Sequence, residues 1–324
     1  MHIFFVINPA AGKTDQSKFL LEKIHNIMVD HAYPYTAYVT KYPGDGEQAV
    51  REAAAATEED ILFVACGGDG TLNEVVNGAA GFKNALVTHF PCGSGNDFIR
   101  TFGQNGSAFY HMEKLLWEGS EQTLDLIECN GRYCLNIFSS GLDARVAYDM
   151  KKFKRLPLVS GSNAYILSLI LNFFKPLTKK CRVTVDGQSW EGEYIIIVAA
   201  NGSYYGGGFH PVPEANPGDG QLEFLLVKKL SRWKVAGAIS YYKQGRYKEK
   251  MQYFQRFSGK TMLIEAEKPI TQNLDGEISF EKSIKVSLSD QKIRFWIPSG
   301  NRQIWPENRS AAQNTGADRQ KQLT

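Results

Sequence analysis

Long apolar runs, metal-type cysteine spacing and a large net charge are all missing from this sequence. No apolar run reaches the roughly 18 residues of a membrane-spanning helix, so we predict no transmembrane segment. The five cysteines form no CxxC pair and no zinc-finger spacing, and their odd number favours reduced thiols. With 37 basic and 34 acidic residues the net charge is +3, too small for bulk nucleic-acid binding. These absences predict a cytoplasmic protein without a nucleic-acid partner.

The 324 residues suit about two domains, and the first has an alternating pattern. From residue 1 to about 125, apolar runs alternate with amphipathic stretches, which predicts a parallel sheet with crossover helices. The predicted strands are 2–7, 35–40, 61–65 and 85–90, and the predicted helices are 14–30, 46–56, 71–79 and 107–117.

In the second half, 126–292, short β-type runs separated by turn residues predict a largely antiparallel β domain. The run 293–297 fits either domain, and the segment 293–304 is our candidate for completing the first. The polar tail 305–324 is expected to be disordered. The predicted strands here are 132–138, 181–186, 193–200, 221–227, 261–266 and 284–288, with helices near 143–153, 162–174 and 231–248.

The segment 66–78, CGGDGTLNEVVNG, follows a buried-strand pattern and opens a helical one. Glycines let backbone N–H groups approach a phosphate, and a helix N-terminus presents further N–H groups to the same anion. Asp69 would repel a phosphate unless a divalent cation or bound waters lay between them. The segment therefore predicts a metal-assisted nucleotide site, with a glycine-rich helix cap as the alternative.

Two other strand ends are weaker candidates of the same kind. The segment 8–13, NPAAGK, follows the first predicted strand, where open α/β sheets bind ligands. Asn8 can form hydrogen bonds and Lys13 can meet a phosphate, but the Walker A spacing is absent, so a turn with a solvated lysine is the alternative. Thr40 ends the next strand.

The segment 91–98, PCGSGNDF, again places glycines around a hydroxyl, Ser94, and a carboxylate, Asp97. The carboxyl ends of neighbouring parallel strands meet at one edge, so Asp69 and Asp97 are expected to share magnesium-bound waters. The alternative is that a polar residue of this loop simply caps a helix. Asp125 is a further candidate for the network.

Two turn-rich segments of the β half also carry carboxylates. In the loop 211–222, Asp219 lies beside glycine, which suits a hard cation such as Mg²⁺ or, alternatively, an Asx-type turn. In 273–277, NLDGE, an aspartate positioned by a turn can act as base for a hydroxyl that attacks phosphorus. The Asp-Gly pair is equally a signal for a type I′ hairpin turn, and the residues alone leave both interpretations open.

In this order the motifs resemble those of the bacterial diacylglycerol kinase-like lipid kinases, relatives of sphingosine and ceramide kinases and more distantly of NAD kinases. The resemblance implies a Rossmann-like nucleotide-binding α/β domain followed by a C-terminal β-sandwich domain, with ATP and acceptor meeting between them. The motifs are NPAAGK at 8–13, GGDGTLNEVVNG at 67–78, PCGSGNDF at 91–98, PEANPGDGQL at 213–222 and LDGE at 274–277.

The resemblance also implies transfer of the γ-phosphoryl group of ATP to a lipid hydroxyl, with diacylglycerol favoured, Asp275 as general base and Glu277 nearby. It implies a magnesium-water network at Asp69, Asp97 and Asp125. It further implies a separate structural Mg²⁺ held by the Asp219 side chain, with the backbone carbonyls of Asn216 and Gln221. The residues implied to bind the nucleotide are Asn8, Pro9, Ala10, Ala11, Gly12, Thr40, Gly68, Asp69, Gly70, Thr71, Leu72, Asn73, Glu74, Ser94 and Asp97.

A lipid acceptor implies contact with a membrane, and two stretches of the chain suit an anionic surface. Basic clusters at 151–155 and 175–182 bracket the apolar run 165–174, and basic residues at 228–250 are interleaved with Trp233 and tyrosines. The alternative for both is a core helix with solvated ends. We expect peripheral association with the inner face of the membrane, and a free β edge would allow a homodimer.

Two rival functions are an NAD kinase-like enzyme, which would share the GGDGT loop, and a catalytically silent nucleotide- or lipid-binding regulator on the same fold. The GSGND and LDGE segments favour the lipid branch, and the presence of Asp69 and Asp275 argues against a silent protein. Diacylglycerol, a sphingoid base, phosphatidylglycerol and undecaprenol-like alcohols all offer a hydroxyl, and no motif distinguishes their acyl chains.

Overall fold

A computed structural model describes residues 1–12, 14–103, 106–153, 168, 171–172 and 175–300. Lys13, most of the predicted helix 162–174 and the predicted tail 305–324 therefore lie outside the described residues.

The first half forms the parallel sheet that its alternating pattern predicts. Its elements are β1 (His2–Ile7), α1 (Ser17–Asp30), β2 (Tyr35–Val39), α2 (Asp45–Ala55), β3 (Ile61–Gly67), α3 (Asp69–Ala79) and β4 (Ala85–Pro91). The strand order is β2-β1-β3-β4, and each neighbouring pair is parallel. Every residue of β3 and β4 is buried, as expected for strands of a sheet covered on both faces.

The predicted helix 107–117 is interrupted. A 3₁₀ turn covers Ser107–Tyr110, and the α-helix α4 covers only Met112–Trp117. Between them His111 has an extended backbone, with φ of −106° and ψ of 98°, which ends the first turn and begins the second. Another 3₁₀ turn, Phe98–Phe102, follows the loop after β4.

The second half is built mainly of antiparallel strands. Its elements are β5 (Gly119–Cys129), β6 (Arg132–Cys134), β7 (Ile137–Gly141), α5 (Leu142–Phe153), β8 (Lys179–Val185), β9 (Gln188–Ala200), β10 (Leu222–Lys228), α6 (Arg232–Lys243), a 3₁₀ turn (Tyr247–Lys250), β11 (Phe254–Gly259), β12 (Thr261–Leu274) and β13 (Glu277–Pro298). The sequence pattern does not predict β5 and β11. Polar residues interrupt the apolar alternation of β5, and β11 is a strand at the end of the sheet with few buried residues.

The strand β13, 22 residues long, joins the two halves. It pairs antiparallel with β12 and β5, and near its end it pairs parallel with β4 through Arg294 opposite Leu86 and Phe295 opposite Val87. The end of β13 thereby enters the apolar core around β1, β3 and β4, where Phe295 is stacked on Phe102 with ring centroids 5.9 Å apart. The domain limits at 125, 292 and 304 stay predictions.

Two further apolar cores fill the second half. One is formed by side chains of the β strands and includes Phe138, Phe224 and Ile264. The other lies beneath α5 and α6, where Val146, Tyr242 and neighbouring apolar side chains are packed on β9 and β10. The loops that follow β3 and β4 face the second half, so the candidate site lies where the halves meet.

Candidate functional site

The two glycine loops that follow β3 and β4 are in direct backbone contact. The Cys92 and Gly93 N–H groups both donate to the carbonyl oxygen of Gly67, at 2.7 and 3.2 Å. A Cβ atom on Gly93 would lie 2.4 Å from the Gly68 Cα atom, closer than any side chain allows. Glycine is therefore required here, because the loops approach each other more closely than any other residue permits.

This contact brings Asp69 and Asp97 together, as their positions at neighbouring strand ends suggested. Asp69 Oδ1 accepts hydrogen bonds from the backbone N–H groups of Asp97, at 2.7 Å, and Phe98, at 3.4 Å. Burial, followed by the nearby charge of Asp69, raises the pKa of Asp97 to about 6. Two carboxylates held this close favour a cation or a proton between them.

The two oxygens of the Asp97 carboxylate have different partners. Its Oδ2 accepts a hydrogen bond from the Gly207 N–H group at 2.6 Å. Its buried Oδ1 accepts no hydrogen bond from any described residue, and the Arg100 Nε atom lies 3.6 Å away. This oxygen is a donor atom of the kind that Mg²⁺ prefers.

Whether the residues present fit a magnesium ion depends on how many ligands the protein itself must supply. Among the residues that the structure describes, no group of three or more His, Cys, Asp or Glu side chains could hold a metal ion. Mg²⁺ usually keeps several waters and binds through one or two carboxylates together with substrate phosphates. Asp69 and Asp97 fit that arrangement, with the nucleotide and water as the remaining ligands.

The N-terminus of α3 is open towards this site. No side chain caps it, and Gly68 before it is extended, so the first N–H groups of an 11-residue helix are oriented for an anion. Thr71 Oγ1 accepts a hydrogen bond from Asn8 Nδ2 at 2.9 Å, which ties the loop after β1 to α3. Gly12, with φ of +83°, lies against the carbonyl of Cys92.

The remaining residues implied for the nucleotide have different surroundings. Leu72 and Asn73 are buried in the helix interior, and Thr40 is buried and donates to the Ile7 carbonyl. Glu74 accepts hydrogen bonds from the Gly44 and Gly46 N–H groups at 2.9 and 3.1 Å, so it binds the N-terminus of α2. The residues exposed or partly exposed at the loops are Pro9, Ala10, Ala11, Gly70 and Ser94.

Asp275 lies in a two-residue hairpin turn between β12 and β13. Both turn residues have positive φ, 44° for Asp275 and 98° for Gly276, as in a type I′ turn. The carboxylate accepts hydrogen bonds from the backbone N–H groups of Leu135, Asn136 and Ile137, each at 3.1 Å. The hairpin interpretation and a positioned carboxylate are thus compatible.

The pKa of Asp275 is affected by a charge at the glycine loops. Burial raises the pKa of Asp275 to about 6, the backbone donors at Ile137 and Asn136 oppose this shift, and the charge of Asp69 adds to it. Glu277 has different surroundings from Asp275. It is exposed and forms an ion pair with Arg132 at 3.0 Å, which in turn pairs with Glu47 of α2 at 2.7 Å.

Asp125 lies with the loop 211–222. Its Oδ2 accepts a hydrogen bond from the Gly220 N–H group at 2.6 Å, and its Oδ1 pairs with Lys292 at 2.8 Å. Asp219 Oδ1 accepts from the Gln221 N–H group at 3.1 Å, and Asn216 Oδ1 accepts from the Gly218 N–H group at 3.1 Å. The loop has the Asx-type turns of the alternative interpretation, and its Mg²⁺ stays a prediction.

Sequence reasoning missed a third glycine loop. Residues 201–208, NGSYYGGG, follow β9 and supply the Gly207 N–H group that holds Asp97. The run Gly206-Gly207-Gly208 after a strand pattern was a usable signal. His89 was also missed. Its Nε2 contacts the Gly67 carbonyl at 3.0 Å, and burial lowers its pKa, so a neutral ring supports the first glycine loop.

Comparison with known proteins matches both halves of the chain. Residues 2–129 match the family described as diacylglycerol kinase catalytic domain, and residues 136–296 match the YegS C-terminal NAD kinase beta sandwich-like domain. A Staphylococcus epidermidis protein named "Putative lipid kinase" is 27% identical over 249 residues, covering 76% of this chain and 80% of that protein. A Staphylococcus aureus protein of the same name is 26% identical over 249 residues, which again cover 76% of this chain and 80% of that protein.

A solved structure gives the same architecture. The structure titled "Crystal structure of a putative diacylglycerol kinase from Bacillus anthracis str. Sterne" superposes with a TM-score of 0.70 and covers 92% of this chain and 97% of that one. At 23% sequence identity this likeness concerns the fold, and it confirms the α/β and β-sandwich arrangement.

Proposed function

Because the chain belongs to the family that joins a diacylglycerol kinase catalytic domain to a NAD kinase-like β-sandwich domain, we propose that it transfers the γ-phosphoryl group of ATP to the hydroxyl of diacylglycerol. The observation that carries the proposal is the meeting of Asp69 and Asp97 at the glycine loops, with Asp275 close enough to be affected by the charge of Asp69. The proposed phosphate site and the proposed base thus lie near each other.

The residues gathered at these loops suggest a division of roles. The glycine loops and the N-terminus of α3 bind the phosphates, while Asp275 accepts the proton of the acceptor hydroxyl as its oxygen bonds to the γ-phosphorus and ADP leaves. Three backbone N–H groups hold the Asp275 carboxylate in place. Mg²⁺ at Asp69 and Asp97 would neutralise charge on the phosphoryl oxygens.

The chain offers a matched pair of aspartates to test this role. Asp186 has the same φ of 44° before a positive-φ glycine, and its carboxylate also accepts backbone N–H groups, from Lys260 and Thr261. Asp186 lies in the β8–β9 hairpin, away from the glycine loops. Asp275→Asn should lower kcat about 10²- to 10⁴-fold, the usual contribution of a general base, and Asp186→Asn should leave it near wild type.

The assay is transfer from γ-labelled ATP to a panel of acceptors in mixed micelles, with NAD included. Labelled phosphatidic acid from wild type and Asp186→Asn, but not from Asp275→Asn, supports the proposal. Label on NAD would favour the NAD kinase-like alternative. A folded, ATP-binding protein that labels none of the acceptors would favour a regulator.

We also propose that the protein meets its lipid at an anionic membrane surface through α6. Trp233 is 88% exposed on this helix, and no acidic residue occurs between Lys228 and Lys248. Arg232 contacts the carbonyl of Lys175 at 3.4 Å, which places the N-terminus of α6 beside the second basic cluster. An exposed tryptophan among basic side chains suits the headgroup region of an anionic bilayer.

The helix cannot serve as a membrane span. Among the helices of the described residues, none is long and apolar enough to cross a bilayer. The inner face of α6, with Val235, Ala238 and Tyr242, is packed on the β strands, so only its outer face is available. The proposal therefore concerns contact with the membrane surface. The side chains of the other expected segment, 151–174, lie mostly outside the described residues.

A further inference from the structure

Hydrogen bonds among three polar side chains, one buried and two partly buried, connect the third glycine loop to two helices. The Tyr205 hydroxyl donates to Asp143 Oδ2 at 2.7 Å, and its oxygen lies 2.6 Å from the Tyr242 hydroxyl. A phenol has one proton, so Tyr242 must be the donor in the second bond. Asp143 is in the first turn of α5 and Tyr242 in the last turn of α6, so Tyr205 is held by both helices.

Tyr205 also begins the tight turn that carries Gly207. The backbone groups of Tyr205 and Phe209 exchange two hydrogen bonds, at 2.9 and 2.8 Å. Between them the three glycines have φ of 62°, 81° and 112°, a run of conformations that only glycine adopts easily. Such a run is intrinsically flexible, so its position depends on the residues at its two ends.

The turn places the Gly207 N–H group 2.6 Å from Asp97 Oδ2. Asp97 is the residue whose backbone N–H group donates to Asp69 at the glycine loops that follow β3 and β4. The Tyr205 side chain is therefore hydrogen-bonded to α5 and α6, and its backbone begins the glycine turn whose Gly207 N–H group binds Asp97. Burial raises the pKa of both tyrosine hydroxyls well above the usual range, so both keep the protons that these bonds require.

We propose that Tyr205 is a positioning residue, which fixes the glycine turn against Asp97 through its hydrogen bonds to Asp143 and Tyr242. In this arrangement two helices of the second half help to position a carboxylate of the first half. The inference rests on the proposed kinase function only for its activity measurement.

The first test needs neither lipid nor ATP. Amide hydrogen exchange of the peptide covering 206–209 is compared in wild type, Tyr205→Phe and Tyr204→Phe. Tyr204 is the matched control, because its ring is stacked on His210 with centroids 3.9 Å apart and phenylalanine can keep that stacking. Loss of both hydrogen bonds of the Tyr205 hydroxyl should make exchange in Tyr205→Phe about thirtyfold faster, with Tyr204→Phe near wild type.

A second test separates positioning from general stability. Tyr205→Phe should raise the Mg²⁺ concentration needed for half-maximal phosphoryl transfer severalfold and leave the KM for the lipid unchanged. Asp143→Asn can still accept the Tyr205 hydroxyl and should stay near wild type, whereas Asp143→Ala should resemble Tyr205→Phe.

The outcomes are distinct. Unchanged exchange and Mg²⁺ dependence in a folded Tyr205→Phe protein would overturn the proposal, as would equal effects of Tyr204→Phe. Faster exchange of the turn together with no kinase activity on any acceptor, even in the wild type, would instead retain the positioning role and reject the proposed function.

Discussion

Asp275 fits both interpretations of its sequence, the hairpin turn and the positioned carboxylate. Its φ of 44° is the left-handed conformation that a type I′ turn demands, and few residues other than glycine, asparagine and aspartate adopt it. The turn directs the carboxylate at the N–H groups of Leu135, Asn136 and Ile137. The structural role of the Asp-Gly pair is thus the means by which the proposed base is placed.

The proposed role of Asp275 as base predicts how the proposed kinase activity depends on pH. A base must be ionised to accept a proton, and the pKa of Asp275 is about 6. We expect kcat to fall as the pH is lowered through about 6 and to level off above pH 7. The measurement is a kcat profile under saturating ATP, Mg²⁺ and lipid. A profile that stays flat down to pH 5 would contradict the assignment.

The same pKa has the opposite consequence for stability. The folded state holds the Asp275 proton more tightly than the unfolded chain, whose ordinary value is 3.8, so this contribution is complete below pH 3.8 and is lost as the pH rises through about 6. The unfolding free energy of wild type relative to Asp275→Asn should therefore fall by about 3 kcal/mol at most between pH 4 and pH 7. Urea unfolding of both proteins at several pH values would check this.

At the scale of elements, the sequence pattern predicted those helices and strands whose apolar residues are continuous or recur at a regular spacing. The fully apolar β3 and β4 and the amphipathic α1 and α2 were predicted, with ends shifted by a few residues. The edge strand β11 was not, because pairing with β10 rather than an apolar run makes it a strand. The predicted helix 107–117 was wrong as a single element, since the extended backbone of His111 divides it.

The outer face of α6 provides a prediction at this scale. Each basic side chain near an anionic surface contributes roughly 1 kcal/mol, so Arg232→Gln with Lys234→Gln should weaken binding to phosphatidylglycerol vesicles about thirtyfold. Trp233→Ala should weaken it further. Lys282→Gln with Lys285→Gln, which removes the same charge from exposed positions of β13, is the matched control. Equal weakening by both pairs would indicate a nonspecific effect of net charge and reject the surface.

For the whole molecule, β13 is the element that makes the two halves depend on each other. Its first part completes the β sandwich with β12, and its last part carries Phe295 into the core of the parallel sheet. Phe295 contacts Phe98, Phe102 and Phe109 with ring centroids 5.6 to 6.5 Å apart. Loss of this side chain affects packing at the point where both halves share a strand.

Phe295→Ala should therefore lower the stability of both halves together, by about 3 to 5 kcal/mol, as expected for a large cavity in a core. Thermal unfolding followed by circular dichroism and by amide exchange of both halves should show one transition at a lower midpoint. Phe280→Ala, on the same strand but 47% exposed, is the control and should change the midpoint little. Two separate transitions in the Phe295→Ala protein would show that the halves unfold independently.

The sequence alone determined the order of the motifs, the alternation of β and α elements in the first half and the approach of Asp69 to Asp97. These follow from local rules, since periodicity sets the elements and parallel strands bring their carboxyl ends to one edge. Only the tertiary structure decided that Asp125 contacts the loop 211–222, that Glu277 forms an exposed ion pair and that Gly207 holds Asp97. Those contacts join residues from about 95 to 145 positions apart, and such pairings depend on how the two halves pack, which no local pattern encodes.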